Sequence, residues 1–235
     1  MPIEASPKRF KKLLETYGGN KKIFPINALV DFEGKNSLDN LLASTPIPKD
    51  FNLLSIDIDG NDYHVWDSLK LYHPKVVVIE FNPSIPNDVE YVQKKDWSVN
   101  HSNSLLALYN LGKRKGYELV ACTHLNAFFV AKEYYPLFEI KDNRPKILYT
   151  DTSAQMRIFQ AYDGTLVLQG CQKLLWHLNY PIKQEKMQVL PRYLRKFPDN
   201  YNRFEFLLFL VYARRYKLVR ELLTRQISRW IRIFK

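Results

Sequence analysis

The chain reads as an α/β fold, a mostly parallel sheet wound with helices, and three observations carry that reading. Phe51 to Ile58 is an apolar run of strand length that delivers Asp57, Asp59 and Gly60 at its end. Pro74-Lys-Val-Val-Val-Ile-Glu-Phe-Asn-Pro83 is a second, β-branched run that delivers Glu80 and Asn82. Stretches of helical period alternate with these runs, and Tyr117–Thr123 with Asn126–Lys132 closes the series as two apolar strands joined by a very short turn. Continuous apolar runs are what a parallel strand covered on both faces requires. Strands alternating with helices build a doubly wound sheet, and the hairpin adds an antiparallel edge strand.

Each element has a local reason. Ser6 then Pro7 is an N-cap followed by proline at the first helical position. Phe10, Leu13, Leu14 and Tyr17 follow on one helical face, and Gly18-Gly19 supplies the stop. Ile23 to Val30 reads as a short strand, and Ser37 to Ala43 as a modest helix. After the strand 51–58, Asp62 is a plausible N-cap for a helix to about Lys70. Residues 82–101 are rich in Pro, Asn and charge and read as a loop, long enough to suggest a lid or a substrate contact. Asn103 to Lys115 is helical by pattern and stops at Gly116. Beyond Thr150, Asp163-Gly164 is a hairpin turn between Arg157–Tyr162 and Thr165–Gln169, and the remainder reads as helical.

Composition narrows the class. With 46% apolar and 25% charged residues the chain is ordinary for a globular protein. Cys122 and Cys171 form neither a metal-ligand spacing nor a disulfide framework, which favours a reducing compartment. The N-terminus has no apolar core of the signal-peptide kind. The most apolar stretch, Phe206 to Ala213, is far short of the ~20 residues that span a bilayer. These features predict a cytoplasmic protein. Charge is unevenly placed: residues 1–150 carry 19 Lys and Arg against 18 Asp and Glu, whereas 151–235 carry 16 against 6. The terminal segment, 217–234, sorts Leu222, Leu223, Ile227, Trp230 and Phe234 onto one half of a helical wheel and Arg225, Arg229 and Arg232 onto the other. Docking on the chain's own surface is the favoured use of that face, with peripheral membrane contact through residues 217–235 as the alternative. No nucleic-acid-binding motif accompanies the charge, so nucleic acid is not an expected partner.

Candidate chemistry concentrates at the strand ends. Asp57 and Asp59 at a strand's carboxyl end require solvent, a cation or a substrate proton, and ligands of open α/β sheets sit outside those ends. The competing reading has the two acids anchoring the turn at Gly60. His64 follows closely enough to act as a general base near neutrality. Glu80 and Asn82 stand on the substrate side. The segment from Asp57 to Asp62 has a calcium-loop flavour, but its glycine falls too early and no Glu closes the frame. His73, His101, His124 and His177 share no ligand spacing, so no metal is expected.

Leu54-Ser-Ile-Asp-Ile-Asp-Gly-Asn-Asp62, with Ile3-Glu-Ala-Ser-Pro-Lys-Arg-Phe10, Ile26-Asn-Ala-Leu-Val30, Val77-Val-Ile-Glu-Phe-Asn-Pro83 and Asn126-Ala-Phe-Phe-Val130, resembles the FkbM-type family of S-adenosylmethionine-dependent methyltransferases over roughly residues 1 to 135. The resemblance implies a Rossmann-like class I methyltransferase domain over 1–135, followed by a basic α+β extension over 136–235. It implies S-adenosylmethionine as cofactor and the hydroxyl of a small molecule or glycan as methyl acceptor. By position, Glu4 would take the ribose hydroxyls, Asn27 and Ala28 would flank the adenine, and Asp57 would face the sulfonium and the acceptor. The family's first strand and its Gly-rich turn have no counterpart among the chain's eight glycines. The expectation is therefore an N-terminally truncated member. The alternative is a non-catalytic binding module that works through its basic C-terminal region at a membrane surface or on a protein partner.

Overall fold

The computed structural model describes residues 1–214, and the chain divides into two compact units, Met1–Gln155 and Met156–Lys235.

The first unit is mixed α/β. Strand β1 (Ile3–Glu4) leads into helix α1 (Pro7–Tyr17), capped by Ser6, whose hydroxyl accepts from the Arg9 amide. No residue of α1 is buried, and Leu14 and Tyr17 lie exposed. Strand β2 is only Ile26–Asn27, shorter than the apolar run 23–30 suggests. Pro25 has no amide to donate to a ladder, and the Asp31 amide turns back to the Asn36 carbonyl. β1 and β2 pair in parallel as a separate small sheet.

Helix α2 (Leu38–Ala43), strand β3 (Leu53–Ile56), helix α3 (Asp62–Ser68) and strand β4 (Val76–Glu80) follow. Then come helix α4 (Leu105–Arg114), strands β5 (Tyr117–Cys122) and β6 (Asn126–Ala131), and the short helix α5 (Pro145–Leu148). The main sheet runs in the order β3-β4-β6-β5. β3 and β4 are parallel, and β6 is antiparallel to both β4 and β5. The hairpin thus sits at the edge as expected, but its antiparallel member is internal. β5 leaves one place beside β4 when it crosses over from α4, and β6 folds back into that place.

Helices α3 and α4 supply the apolar core over this sheet. Trp66 is fully buried, with its ring centroid 4.9 Å from Phe129 and 5.7 Å from Tyr117. Gly112 of α4 lies so close that a Cβ there would come within 2.9 Å of the Phe129 ring. The helix meets the sheet where only glycine leaves room. Asp62 is not the cap of α3: Asn61 holds that position without a side-chain bond, and Asp62 is the first helical residue.

The second unit begins with the hairpin of β7 (Met156–Gln160) and β8 (Leu166–Gly170), turned at Gly164 with φ +81. The expectation of helix beyond it fails over much of the segment. β9 (Lys173–Leu174) and β10 (Tyr180–Pro181) form a second hairpin, short 3₁₀ turns follow at 184–187, 192–194 and 198–200, and α6 spans Arg203–Arg214. Pro181, Pro191 and Pro198 each remove a helical donor and clash with the preceding turn, which explains the fragmentation. The terminal amphipathic segment, 217–234, lies outside the described residues. No helix among the described residues is long and apolar enough to cross a membrane.

Candidate active site

β3 and β4 end side by side, and their ends bring Asp57, Asp59 and Glu80 together. One carboxylate oxygen from each lies within 4.8 Å of the others. Asp57 and Asp59 are exposed and Glu80 is half-buried. Among the described residues, none of the ion pairs involves these three acids. Like charges so close cannot all be ionised cheaply, and one group resolves the conflict by holding its proton. Burial, with the charges of Asp57, Asp62 and Asp59 adding to it, raises Glu80 to about 7. The three oxygens also have a spacing that a hard divalent cation accepts.

The turn beneath the acids is tightly made. Asp59 sits at φ 58, a left-handed conformation uncommon for residues other than glycine. Asp62 is fully buried, and its carboxylate accepts from the amides of Ile58 and Gly60, 3.0 and 2.9 Å. Desolvation raises its proton affinity, and those amide bonds oppose the rise. Gly60 has φ +141, and a Cβ there would meet the Gln93 Oε1 at 2.9 Å and the Asn100 Cα at 3.2 Å. The loop 82–101 therefore packs directly on the turn.

That loop is held by polar side chains the sequence did not single out. Gln93 is 2% exposed. Its amide nitrogen donates to the Val99 carbonyl, and its Oε1 accepts from the amides of His101 and Ser102. The Asn103 side chain donates to the Gly60 carbonyl, 2.8 Å, and accepts from the Gln93 amide. Trp97 stacks on Phe32 at 4.9 Å. Gln93 lies outside any apolar period, so only the unusual loop length hints at it, and the sequence marks Asn103 only as the start of a helix.

The other sequence candidates divide. His64 places Nε2 2.8 Å from the Gln93 carbonyl. A carbonyl only accepts, so that nitrogen carries the proton and is engaged in holding the loop. Asn82 is similarly occupied: its amide nitrogen donates to the His101 carbonyl, and its oxygen accepts from the Ser84 amide and hydroxyl. Both are placed as loop anchors. Glu4 ends β1, and one of its oxygens accepts from the Ser6 amide, leaving the other open. Asn27 lies beside it on β2, its side chain donating to the carbonyls of Glu4 and Ala5. Ala28 follows immediately, half-buried. No protein-family model, curated protein or solved structure matches this chain.

Proposed function

We propose that the acids at the ends of β3 and β4 manage the proton of a hydroxyl acceptor, in a methyl transfer from S-adenosylmethionine by an FkbM-type, Rossmann-like domain. The convergence of Asp57, Asp59 and Glu80 is the observation that carries this reading. A carboxyl that titrates at about 7 is half-ionised at neutral pH, which is the condition for taking a proton without excessive driving cost. Glu80 accepts the hydroxyl proton at a carboxylate oxygen. Asp57 and Asp59 keep its affinity high and orient the acceptor by hydrogen bonding. When bound, the cofactor supplies an electrophilic methyl carbon. Its fit to this chain is partial. The free oxygen of Glu4 suits a ribose hydroxyl, and Asn27 and Ala28 stand beside it. The turn at Gly60, which follows a strand and opens a helix, is filled by Gln93 and Asn100 and offers no cradle for the methionine end.

The test is transfer of label from methyl-labelled S-adenosylmethionine to a panel of phenolic and glycan hydroxyl acceptors. Transfer is expected to rise with pH through about 7 and to fall by about 10²-fold or more in Glu80→Gln. No transfer to any hydroxyl acceptor, or transfer indifferent to Glu80→Gln, overturns the reading.

A second reading, the non-catalytic module, is favoured by the β9–β10 hairpin. Trp176 and Tyr180 are more than half exposed there and Leu178 wholly so, with Lys173 and Lys183 alongside. Aromatic and aliphatic tips flanked by lysine suit an anionic membrane surface. Co-sedimentation with anionic vesicles that is lost in the Trp176→Ala, Leu178→Ala double variant supports it, and equal recovery of variant and wild type removes it.

A further inference from the structure

A cavity of about 530 Å³ runs along the side of β3 that faces away from β4. Met1, Pro2 and Ile3 of the β1 segment line one part of it, and Leu53 to Ile58 line another. Leu38 and Leu42 of α2, with Val65 of α3, supply further apolar lining.

Backbone direction decides what this space suits. The Val76 amide donates to the Asn52 carbonyl. In a parallel ladder alternate residues face the same neighbour. Asn52, Leu54 and Ile56 therefore turn their amides and carbonyls to β4, and Leu53, Ser55 and Asp57 turn theirs to the cavity side. β1 shows the same asymmetry. The Ile26 amide donates to the Pro2 carbonyl, so Pro2 and Glu4 face β2, and Ile3 faces away from it. Two strand edges with outward-directed peptide groups thus line one apolar space.

The edge of β3 also lacks protection. Sheet edges are normally blunted by charge, proline, a bulge or a covering element. Leu53-Leu-Ser-Ile56 has none of these residues, and Leu53 is 57% exposed. β1–β2, a pair of two-residue strands, is below the size at which a sheet stands alone.

We propose that this cleft receives one extended apolar strand of a separate partner polypeptide, hydrogen-bonded along β3. The same strand completes the pairing of β1. A small ligand fits the observations less well, because the cleft offers few convergent polar side chains, and its unmet groups are peptide groups at strand spacing. Main-chain bonds supply affinity in such strand addition, and alternate side chains supply selectivity. The inference is independent of the methyl-transfer reading.

The probe is a panel of capped six-residue peptides of Val and Ile with lysine tails, added to the full chain and followed by amide hydrogen exchange. The peptides are expected to slow exchange at Ile3, Leu53 and Ser55 by at least tenfold and to raise Tm. The Leu54 and Ile56 amides, already paired with β4, should change far less. Ser55→Pro removes the outward donor and should abolish the effect. Leu53→Lys keeps the backbone and charges the edge, so it should weaken the effect even if Ser55→Pro folds poorly. Three results overturn the proposal. One is no added protection with any peptide. Another is slow exchange at Leu53 and Ser55 in the chain alone at every concentration. The third is protection that grows with protein concentration without peptide, which assigns the edge to a second copy.

Discussion

Glu80 ties the chemistry of the strand ends to the pH dependence of folding. Its ordinary value of 4.5 is raised to about 7 in the fold, so the folded state binds the proton more tightly. The contribution to stability is complete below pH 4.5 and is lost as pH rises through about 7. Urea unfolding followed from pH 4.5 to 8 should show this decline, and Glu80→Gln should flatten it. At pH 8 the variant should be more stable by on the order of 2 kcal/mol, partial exposure having reduced the full effect. Gly60→Ala should act oppositely. Its Cβ would press on Gln93 and Asn100 at a backbone angle that L-residues avoid, a loss of about 1–3 kcal/mol by thermal unfolding. Asp57, Asp59 and Glu80 could be recognised in the sequence because each ends an apolar run, where a charge is conspicuous. Gln93 and Asn103 could not, because a buried amide acts through partners that only the folded chain supplies. His64 and Asn82 show the converse: their residue types suit chemistry, while the His64 Nε2 and the Asn82 amide nitrogen bond to loop carbonyls.

Helices and strands of the first unit follow their local signals closely where burial reinforces them. β4 and the β5–β6 hairpin lie within a residue or so of their apolar runs because each strand buries residues in the core. β2 shrinks to two residues where Pro25 interrupts the ladder. The order β3-β4-β6-β5 was beyond local reading, since which strand takes the inner place depends on the α4 crossover. The meeting of α4 with the sheet offers a direct test. Alanine is intrinsically better than glycine in a helix by about 1 kcal/mol. At Gly112 its methyl would force Phe129 and Trp66 aside, and overpacking of this kind costs about 1–3 kcal/mol. Gly112→Ala should therefore lower the urea midpoint despite its helix propensity. Improved stability would show that the core yields more easily than its packing implies.

At the scale of the whole molecule, burial among the described residues is distributed unevenly between the two units. Trp66, Phe81, Leu108, Leu119 and Phe129 are almost wholly excluded from solvent in the first unit. In the second, the buried apolar residues among those described are Leu168, Leu194 and Ala213. Cooperative protection follows buried contacts. Amides of α4 and β4–β6 should be the last to exchange, and those of β7–β10 should exchange at far lower denaturant. A single shared exchange rate would contradict this division.

Gln93 makes or receives five hydrogen bonds through one residue: two at its backbone and three at its side chain. Such concentration couples several points of the loop through a single side chain. Releasing any one of these bonds leaves a polar group short of a partner beside a side chain that is almost fully buried, which makes piecemeal loosening costly. The exposed acids of the turn meet solvent already, whereas the buried Gly60 beneath them is covered by Gln93 and is expected to open to solvent only when that side chain gives up its partners.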